Sequence, residues 1–502
     1  MFDGLYLGID CGTQGLKTLL FDGATGAVVA LAKRNYEVLP NAAPGVSEQN
    51  PNVWIAAAEA TIREVVRAAG KRSQQIKAVA VSGQQHGMVA IDKAGKPVRA
   101  AKLWNDVSTA NEAAEIINKC GGASAMLKLT GNALPPGFTG SKVYWLERNE
   151  PRNYERCVSI LLPHDYINFW LTGEKQTEAG DASGTGYFNI NERNYSRRAM
   201  DAISDHLYQK VPPVAAAGAV VGEVRESLTK KFGLPRRVAV GHGGGDNMMA
   251  AFGTGATREG IITISLGTSG TAFGYSNKPV VDRFGEIAAF CDSSGGYLPL
   301  LCIQNCTNVT ESVKRLLQFD DRALDAAATK AKPGSDGMLL LPFFSGERTP
   351  NLPSATAAFV ELTHTNFSRE NMARAAMEAP AVALAFGLNR LRELGMKPTE
   401  IRATGGGSKS KTWRKILANA LGAPIVNIAA EEGAALGAAL CALWCSARET
   451  NRKITADEVC SRFVKLDPKS RAAPDPETAG VYQEMLDRRN RYIQTMYSNP
   501  SP

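Results

Sequence analysis

The chain has 502 residues, 44% hydrophobic and 21% charged, a composition that excludes a disordered protein and a length that needs more than one core. The formal charge is +8 with the basic residues scattered, and the densest group, Arg488, Arg489 and Arg491, is too thin for a nucleic-acid stripe and reads as a solvated face. No apolar run is long enough to span a membrane, the N-terminus lacks the basic start of a signal peptide, and no Walker A pattern occurs, so membrane proteins, secreted proteins and P-loop enzymes are all excluded as expectations.

In chain order, Leu5 to Val38 predicts three successive strands with turns at Gly12–Gly15 and Asp22–Gly26. Pro51 to Ala69 has helical spacing, with Asn50 as cap and Pro51 in the first turn. Ile76 to Val81 predicts a strand, and Gly87–Ile91 with Pro97–Leu103 predicts a hairpin. A Gly/Pro-rich loop, Gly131 to Gly140, precedes a helix. Val238–Val240 is a strand entering Gly241-His242-Gly243-Gly244-Gly245-Asp246-Asn247, and a helix rich in Met and Ala follows. Strands at Gly260–Ile264, Thr271–Tyr275 and Tyr297–Ile303 open the second half. Arg369 to Leu394 predicts a long helix in which Pro380 introduces a kink. The last part alternates strand and helix around Gly405-Gly406-Gly407, and a polar tail ends in a helix from Glu477 expected to lie on the surface. The whole is an α/β pattern.

Two stretches carry one signal. Asp10 precedes a turn of Gly12, Thr13, Gln14 and Gly15 between two apolar runs, and Gly267-Thr268-Ser269-Gly270 repeats it 255 positions later. Successive backbone N–H groups in such turns form an anion nest, to which a Thr hydroxyl adds a donor. A carboxylate beside a phosphate nest calls for an intervening cation, so Asp10 hints at phosphate with Mg²⁺. The repetition predicts a duplicated domain with a cleft between the copies. The third glycine turn, Gly405–Gly407, ends a strand and opens a helix, where a nucleotide can approach the backbone closely.

Asp246 follows three glycines that clear space around one carboxylate at a helix start, a position that suits a general base as well as an N-cap. Gln84-Gln85-His86-Gly87 and Trp104-Asn105-Asp106 place polar groups at strand ends, suited to the vicinal hydroxyls of a sugar. Nine cysteines include Cys302/Cys306 and Cys441/Cys445, four apart and without clustered histidines. Buried thiols in a reducing, cytoplasmic setting are expected rather than zinc or disulfides.

The stretches IDCGTQG, SGQQHG, LWND, GFTGSK, LLPHDY, GGGDN, SLGTSG, LPFFSGERTP, ELTH and GGGSKSKTWRKILAN run in order from residue 9 to about 419. Over that span the chain resembles the FGGY family of sugar kinases. GGGDN and LGTSG mark the family, while QHG, WND and SGERTP point to the branch that phosphorylates D-xylulose. The resemblance implies two actin-like, ribonuclease-H-type domains, 1–253 on the sugar side and 254–502 on the nucleotide side. It implies ATP and Mg²⁺ as cofactors, transfer to the terminal hydroxyl of a ketopentose, and a homodimer. Asp246 matches the proton acceptor and Asp10 the carboxylate near the metal, which Asp246 shares through water. Gln85, His86, Asn105, Asp106 and Asn247 match the sugar pocket together with Asp246. Thr13, Gln14, Thr268, Gly406 and Gly407 match the nucleotide side. Gln85 stands where relatives often have Met. The alternatives are a kinase for ribulose or another ketose or polyol and, from a different class, an actin- or chaperone-type ATPase.

Overall fold

The computed structural model describes residues 2–40, 43–430 and 432–497. Its strands in chain order include β1 (Leu5–Cys11), β2 (Gly15–Asp22), β3 (Val28–Asn35), β4 (Ile76–Gly83), β5 (Val220–Glu223), β6 (Ala239–Gly241), β7 (Gly244–Gly245), β8 (Ile261–Leu266), β9 (Gly270–Gly274), β10 (Tyr297–Ile303), β11 (Glu400–Thr404), β12 (Ile425–Ile428) and β13 (Leu466–Ala472). The helices that matter here are α1 (Pro51–Ala69), α2 (Thr139–Asn149), α3 (Pro163–Thr172), α4 (Ala179–Ala182), α5 (Asp246–Thr254), α6 (Arg369–Glu393), α7 (Lys411–Leu421), α8 (Gly433–Thr450) and α9 (Pro476–Tyr497). Among the described residues, no helix is long and apolar enough to cross a membrane.

The chain packs as two compact units. One comprises Met1–Thr257, Tyr275–Leu298 and Glu432–Val464, the other Arg258–Gly274, Pro299–Glu431 and Lys465–Pro502. The first passage between them lies close to the division at 253 read from the sequence, and two later stretches return to the first unit.

Each unit is built on one sheet plan. In the first, the order is β5-β6-β4-β1-β2-β3, with β7 also on β4. The meander β1-β2-β3 is antiparallel, β4 runs parallel to β1, β6 parallel to β4, and β5 antiparallel to β6. The second unit repeats this strand for strand as β13-β12-β11-β8-β9-β10. The two Gly-Thr turns occupy the same place in both, between the first two strands, where Cys11 pairs with Leu16 and Leu266 with Gly270. This is the duplication that the spacing predicts, in the ribonuclease-H-type plan that the resemblance implies.

Leu5, Leu7 and Ile9 of β1 are buried in a core completed by Trp54, Ile62 and Val65 of α1. That helix starts where its sequence signals say: the Asn50 side chain accepts from Asn52 N–H, and Pro51 occupies the first turn. On the other face of the sheet lies α8, an Ala-rich helix buried from Ala435 to Cys445. It packs backbone against backbone. A Cβ on Gly8 of β1 would sit 2.0 Å from the Ala435 carbonyl oxygen, one on Gly253 of α5 1.8 Å from that of Gly433, and one on Gly437 1.7 Å from that of Met249. Only glycine permits so close an approach.

In the second unit α6 continues through buried Pro380 as one element, and the Trp413 indole N–H of α7 donates to the Met377 carbonyl just ahead of it, 2.9 Å away. The tail departs from expectation. Arg488 and Arg489 of α9 are buried, not part of a solvated face. Arg488 pairs with Glu361, Arg489 lies over the rings of Phe343 and Phe386, and the Tyr482 hydroxyl donates to buried Glu378. An amphipathic helix carrying Tyr482, Met485 and Leu486 on one side brings these two arginines inward with it. The polar composition of the tail concealed that stripe.

Because a Cβ on Gly437 overlaps backbone that cannot swing aside, Gly437→Ala should lower stability by at least the roughly 1–3 kcal/mol of core overpacking. Urea and thermal midpoints measure this, and unchanged midpoints would show that α8 and α5 tolerate separation.

Candidate functional site

The turn after β1 is braced from three sides. Thr13 Oγ1 donates to Gln84 Oε1 (2.9 Å) and accepts from the Trp104 indole N–H (3.0 Å), while Gln49 Nε2 donates to the Thr13 carbonyl (2.7 Å). The single hydroxyl proton of Thr13 is thus committed within the protein, so this turn offers backbone N–H groups and not the extra donor that its composition suggests. Trp104 serves as a brace for the turn. Gln14 and, in the equivalent turn of the second unit, Thr268 are exposed.

Asp10, at the end of β1, accepts from Ser82 Oγ (2.8 Å). Burial pushes its carboxyl up, and the Ser82 hydrogen bond and the Lys17 charge oppose that rise; Lys17 itself pairs with Glu432. Asp246 is the first residue of α5, and the cap position is Gly245. Its Oδ1 accepts from the Asn247 backbone N–H (2.7 Å) and from Asn247 Nδ2 (3.0 Å), and Asn247 Nδ2 also donates to Gln85 Oε1 (2.7 Å). Among the described residues both bonds to the carboxylate fall on Oδ1, leaving Oδ2 as the oxygen that can face a substrate proton. Burial, then the charges of Asp10 and Asp181, raise Asp246 from 3.8 to about 7. An N-cap does not need such a group, and a base working near neutral pH does.

The glycines before Asp246 have a different purpose from the clearance read in the sequence. Gly243 has φ +69°, and a Cβ there would lie 2.1 Å from the Val81 carbonyl oxygen; one on Gly245 would lie 2.6 Å from Gln85 Cγ. They press the loop onto the end of β4, which carries Gln85 to Asn247.

His86 has φ +61°, strained for a non-glycine residue. Its backbone N–H donates to Asp181 Oδ1 (3.2 Å), its carbonyl accepts from Thr139 Oγ1 (3.1 Å) and Lys142 Nζ (3.2 Å), and its ring lies against Phe138 and Phe290. Lys142 is fully buried and donates to three carbonyls, those of His86, Leu103 and Gly137. Burial lowers it to about 7. Asp181 is pushed up by burial, but His164 and His86 outweigh that and hold it down at about 2.

Asn105 is exposed, whereas Asp106 is buried with both oxygens engaged. Ser47 N–H and Lys102 Nζ donate to Oδ2, and the Ser108 N–H and hydroxyl donate to Oδ1. Of that pair, then, only Asn105 presents a polar group outward. Asp181 and Phe290 went unread in the sequence, and His164 and Lys142 stood in the quoted stretches LLPHDY and GFTGSK without a role; a local signal for Asp181 is its place in the first turn of α4, after Glu178, which caps it.

In the second unit Gly405–Ser408 forms the turn after β11, in the place that Gln84 and Gln85 hold after β4. Gly406 is exposed, and a Cβ there would meet nothing within 4 Å; on buried Gly407 it would lie 2.7 Å from the Trp413 ring.

Comparison with known proteins decides the family. The model for the N-terminal domain of the FGGY family of carbohydrate kinases matches residues 5–253, and that for the C-terminal domain matches 262–446. The chain belongs to the FGGY family of carbohydrate kinases. The xylulose kinase of Haemophilus influenzae is 38% identical over 500 residues, 98% of this chain and 100% of that one. The xylulose kinase of Escherichia coli is 32% identical, covering 98% and 99%. The crystal structure of a xylulose kinase from Brucella ovis, 30% identical, superposes with a TM-score of 0.91 over 98% of this chain and 99% of that chain. As a member of this family the protein is an ATP-dependent kinase.

The built Cβ positions separate two tests on the nucleotide side. Gly406→Val enters open space and should raise KM for ATP about tenfold or more while sugar affinity holds. Gly407→Val should instead lower the thermal midpoint by displacing Trp413. Equal loss of ATP and sugar affinity in the folded Gly406 variant would remove Gly406 from the nucleotide site.

Proposed function

We propose that the protein phosphorylates the terminal hydroxyl of D-xylulose with ATP, yielding D-xylulose 5-phosphate. The observation that carries this reading is the chain Gln85–Asn247–Asp246. It aims one carboxylate oxygen of raised proton affinity beside an amide group able to read hydroxyls. The naming of the full-length relatives supports the choice of sugar.

In this reading His86, Gln85, Asn105 and Asn247 orient the sugar, while Asp106, through Lys102 and Ser108, holds the loop that presents Asn105. The terminal hydroxyl gives its proton to Asp246 Oδ2 as its oxygen forms a bond to the γ-phosphorus. The bond from that phosphorus to the β-bridging oxygen breaks in line, and ADP leaves. Within the second unit Thr268, Gly406 and Gly407 are the groups assigned to the nucleotide, and within the first the N–H groups at Thr13 and Gln14 are those assigned to phosphate. Asp10 and Asp246 are hard oxygen donors whose mutual repulsion suits Mg²⁺, which would neutralise phosphate charge.

ATP turnover with a panel of ketoses and polyols tests this. D-xylulose should stimulate it most, with kcat/KM roughly tenfold to a hundredfold above D-ribulose, the discrimination expected from one unpaired buried group. His86→Ala should narrow that gap. Preference for D-ribulose would overturn the substrate assignment, and sugar-independent turnover would favour an ATPase.

Asp246→Asn should lower kcat by about two to four orders of magnitude and leave sugar binding measurable by calorimetry. In the parent enzyme kcat/KM should fall as pH drops below about 7, where Asp246 takes up its proton. Stability follows the opposite sense: with the folded pKa above the unfolded one, the native state binds the extra proton, so stability declines as pH rises from about 4 to 7. The Asn variant should lack that decline and melt higher than the parent at pH 8.

A further inference from the structure

The fold brings together three groups that the phosphoryl-transfer chemistry does not use. His242 follows β6, and Cys441 and Cys445 stand one turn apart on α8. All three are buried, and one donor atom from each lies within 4.8 Å of the others. Cys441 Sγ is 3.9 Å from Cys445 Sγ and 4.0 Å from His242 Nε2. With metal–sulfur bonds of about 2.3 Å and metal–nitrogen bonds of about 2.0–2.1 Å, donors around one three- or four-coordinate ion stand about 3.5–4.0 Å apart. We propose that His242, Cys441 and Cys445 form a binding site for a thiophilic d¹⁰ metal ion, Zn²⁺ or Cu⁺.

Three features beyond the distances support a built site. His242 Nδ1 lies 2.7 Å from the Gly243 carbonyl oxygen. That acceptor makes Nδ1 the protonated nitrogen and leaves the Nε2 lone pair directed at the sulfurs, the arrangement a ligating imidazole requires. The loop is fixed around it: Asn168 Nδ2 donates to the His242 carbonyl (2.9 Å), and the Trp444 ring meets the imidazole edge to face. A Cβ on Gly241 would stand 3.1 Å from Cys445 Sγ, so a glycine at the end of β6 lets the strand approach the thiol. His242 also lines a cavity of about 190 Å³ with Glu178, Arg193, Asp292 and Ser293. A disulfide is the poorer use of this pair, because residues four apart on a helix hold their Cβ atoms about 5–6 Å apart, beyond the reach of an unstrained bridge.

Binding converts two thiols to thiolates and releases their protons to solvent, with no change of oxidation state. The ion would tie α8 to the loop leading into Asp246, closing a span of 199 residues.

The reduced, chelator-stripped full chain is titrated with Co²⁺ as a spectroscopic stand-in for Zn²⁺, then with Zn²⁺ and with Cu⁺ in competition. The expected result is one ion per chain, a thiolate-to-cobalt charge-transfer band displaced by Zn²⁺ or Cu⁺, and a higher thermal midpoint. Cys445→Ser and His242→Gln should each weaken binding more than about a hundredfold, beyond the effect typical of an outer-shell partner, while Cys302→Ser leaves it unchanged. Absence of the charge-transfer band in the unmodified protein at large cobalt excess overturns the proposal without recourse to any variant. Its persistence in both folded ligand variants also overturns it.

Discussion

The packing of α8 is the constraint on which the first unit depends. A helix whose backbone meets the backbone of a strand and of another helix at glycines has little freedom to slide, because backbone at those points cannot swing aside. One of its neighbours, β1, carries Asp10 as its last residue but one, and the other, α5, begins with Asp246. The separation of those two carboxylates is therefore set by glycines at Gly8, Gly253 and Gly437, well away from either charge. This matters because the coupling of two acids depends on their distance: after burial, the charge of Asp10 does most to raise the proton affinity of Asp246.

Around this pair the unit uses buried charge in two opposite ways. His164 stands between Asp165 and Asp181; burial alone would lower it, but the two carboxylates raise it well above its ordinary value. That charge holds Asp181 ionised to receive the His86 backbone N–H. Among the described residues Asp10 feels the charge of Lys17, itself paired with Glu432, and both Asp10 and Asp246 still have raised proton affinity. The first arrangement sets a buried positive group between two negative ones. The second is left short of positive charge, which a substrate with its cation can supply. Lys142 belongs to the first kind: three carbonyls from three separate loops meet its three N–H donors.

Much of this was legible in the sequence where the signal is local. Gly12-Thr13 and Gly267-Thr268 announced the repeated sheet plan, Asn50-Pro51 the start of α1, and Asp246 the start of α5. What escaped is what depends on distant partners. Nothing near Asp106 says that the Ser47 N–H, 59 positions earlier, donates to it, and nothing near Thr13 shows that Gln84 takes its proton. Gly243 and Gly245 read as open space because their neighbours on β4 lie some 160 positions earlier. The histidine missing beside Cys441 and Cys445 is present in space and absent from their stretch of chain. Arg488 and Arg489 look like surface residues until the stripe beside them is seen to be covered.

The return of Glu432–Val464 to the first unit has a consequence for biosynthesis. A ribosome delivers β1 and α5 long before α8, at about 5–20 residues per second, so the central strand of the sheet is made tens of seconds or less before the helix that covers one of its faces. In that interval the face of β1 around Gly8, and the side of α5 at Gly253, lack the helix that covers them. The nascent first half is thus an unfinished layer and not a finished domain. Translation of Glu432–Val464 completes the core, and with it the packing around the carboxylate of raised proton affinity at Asp246.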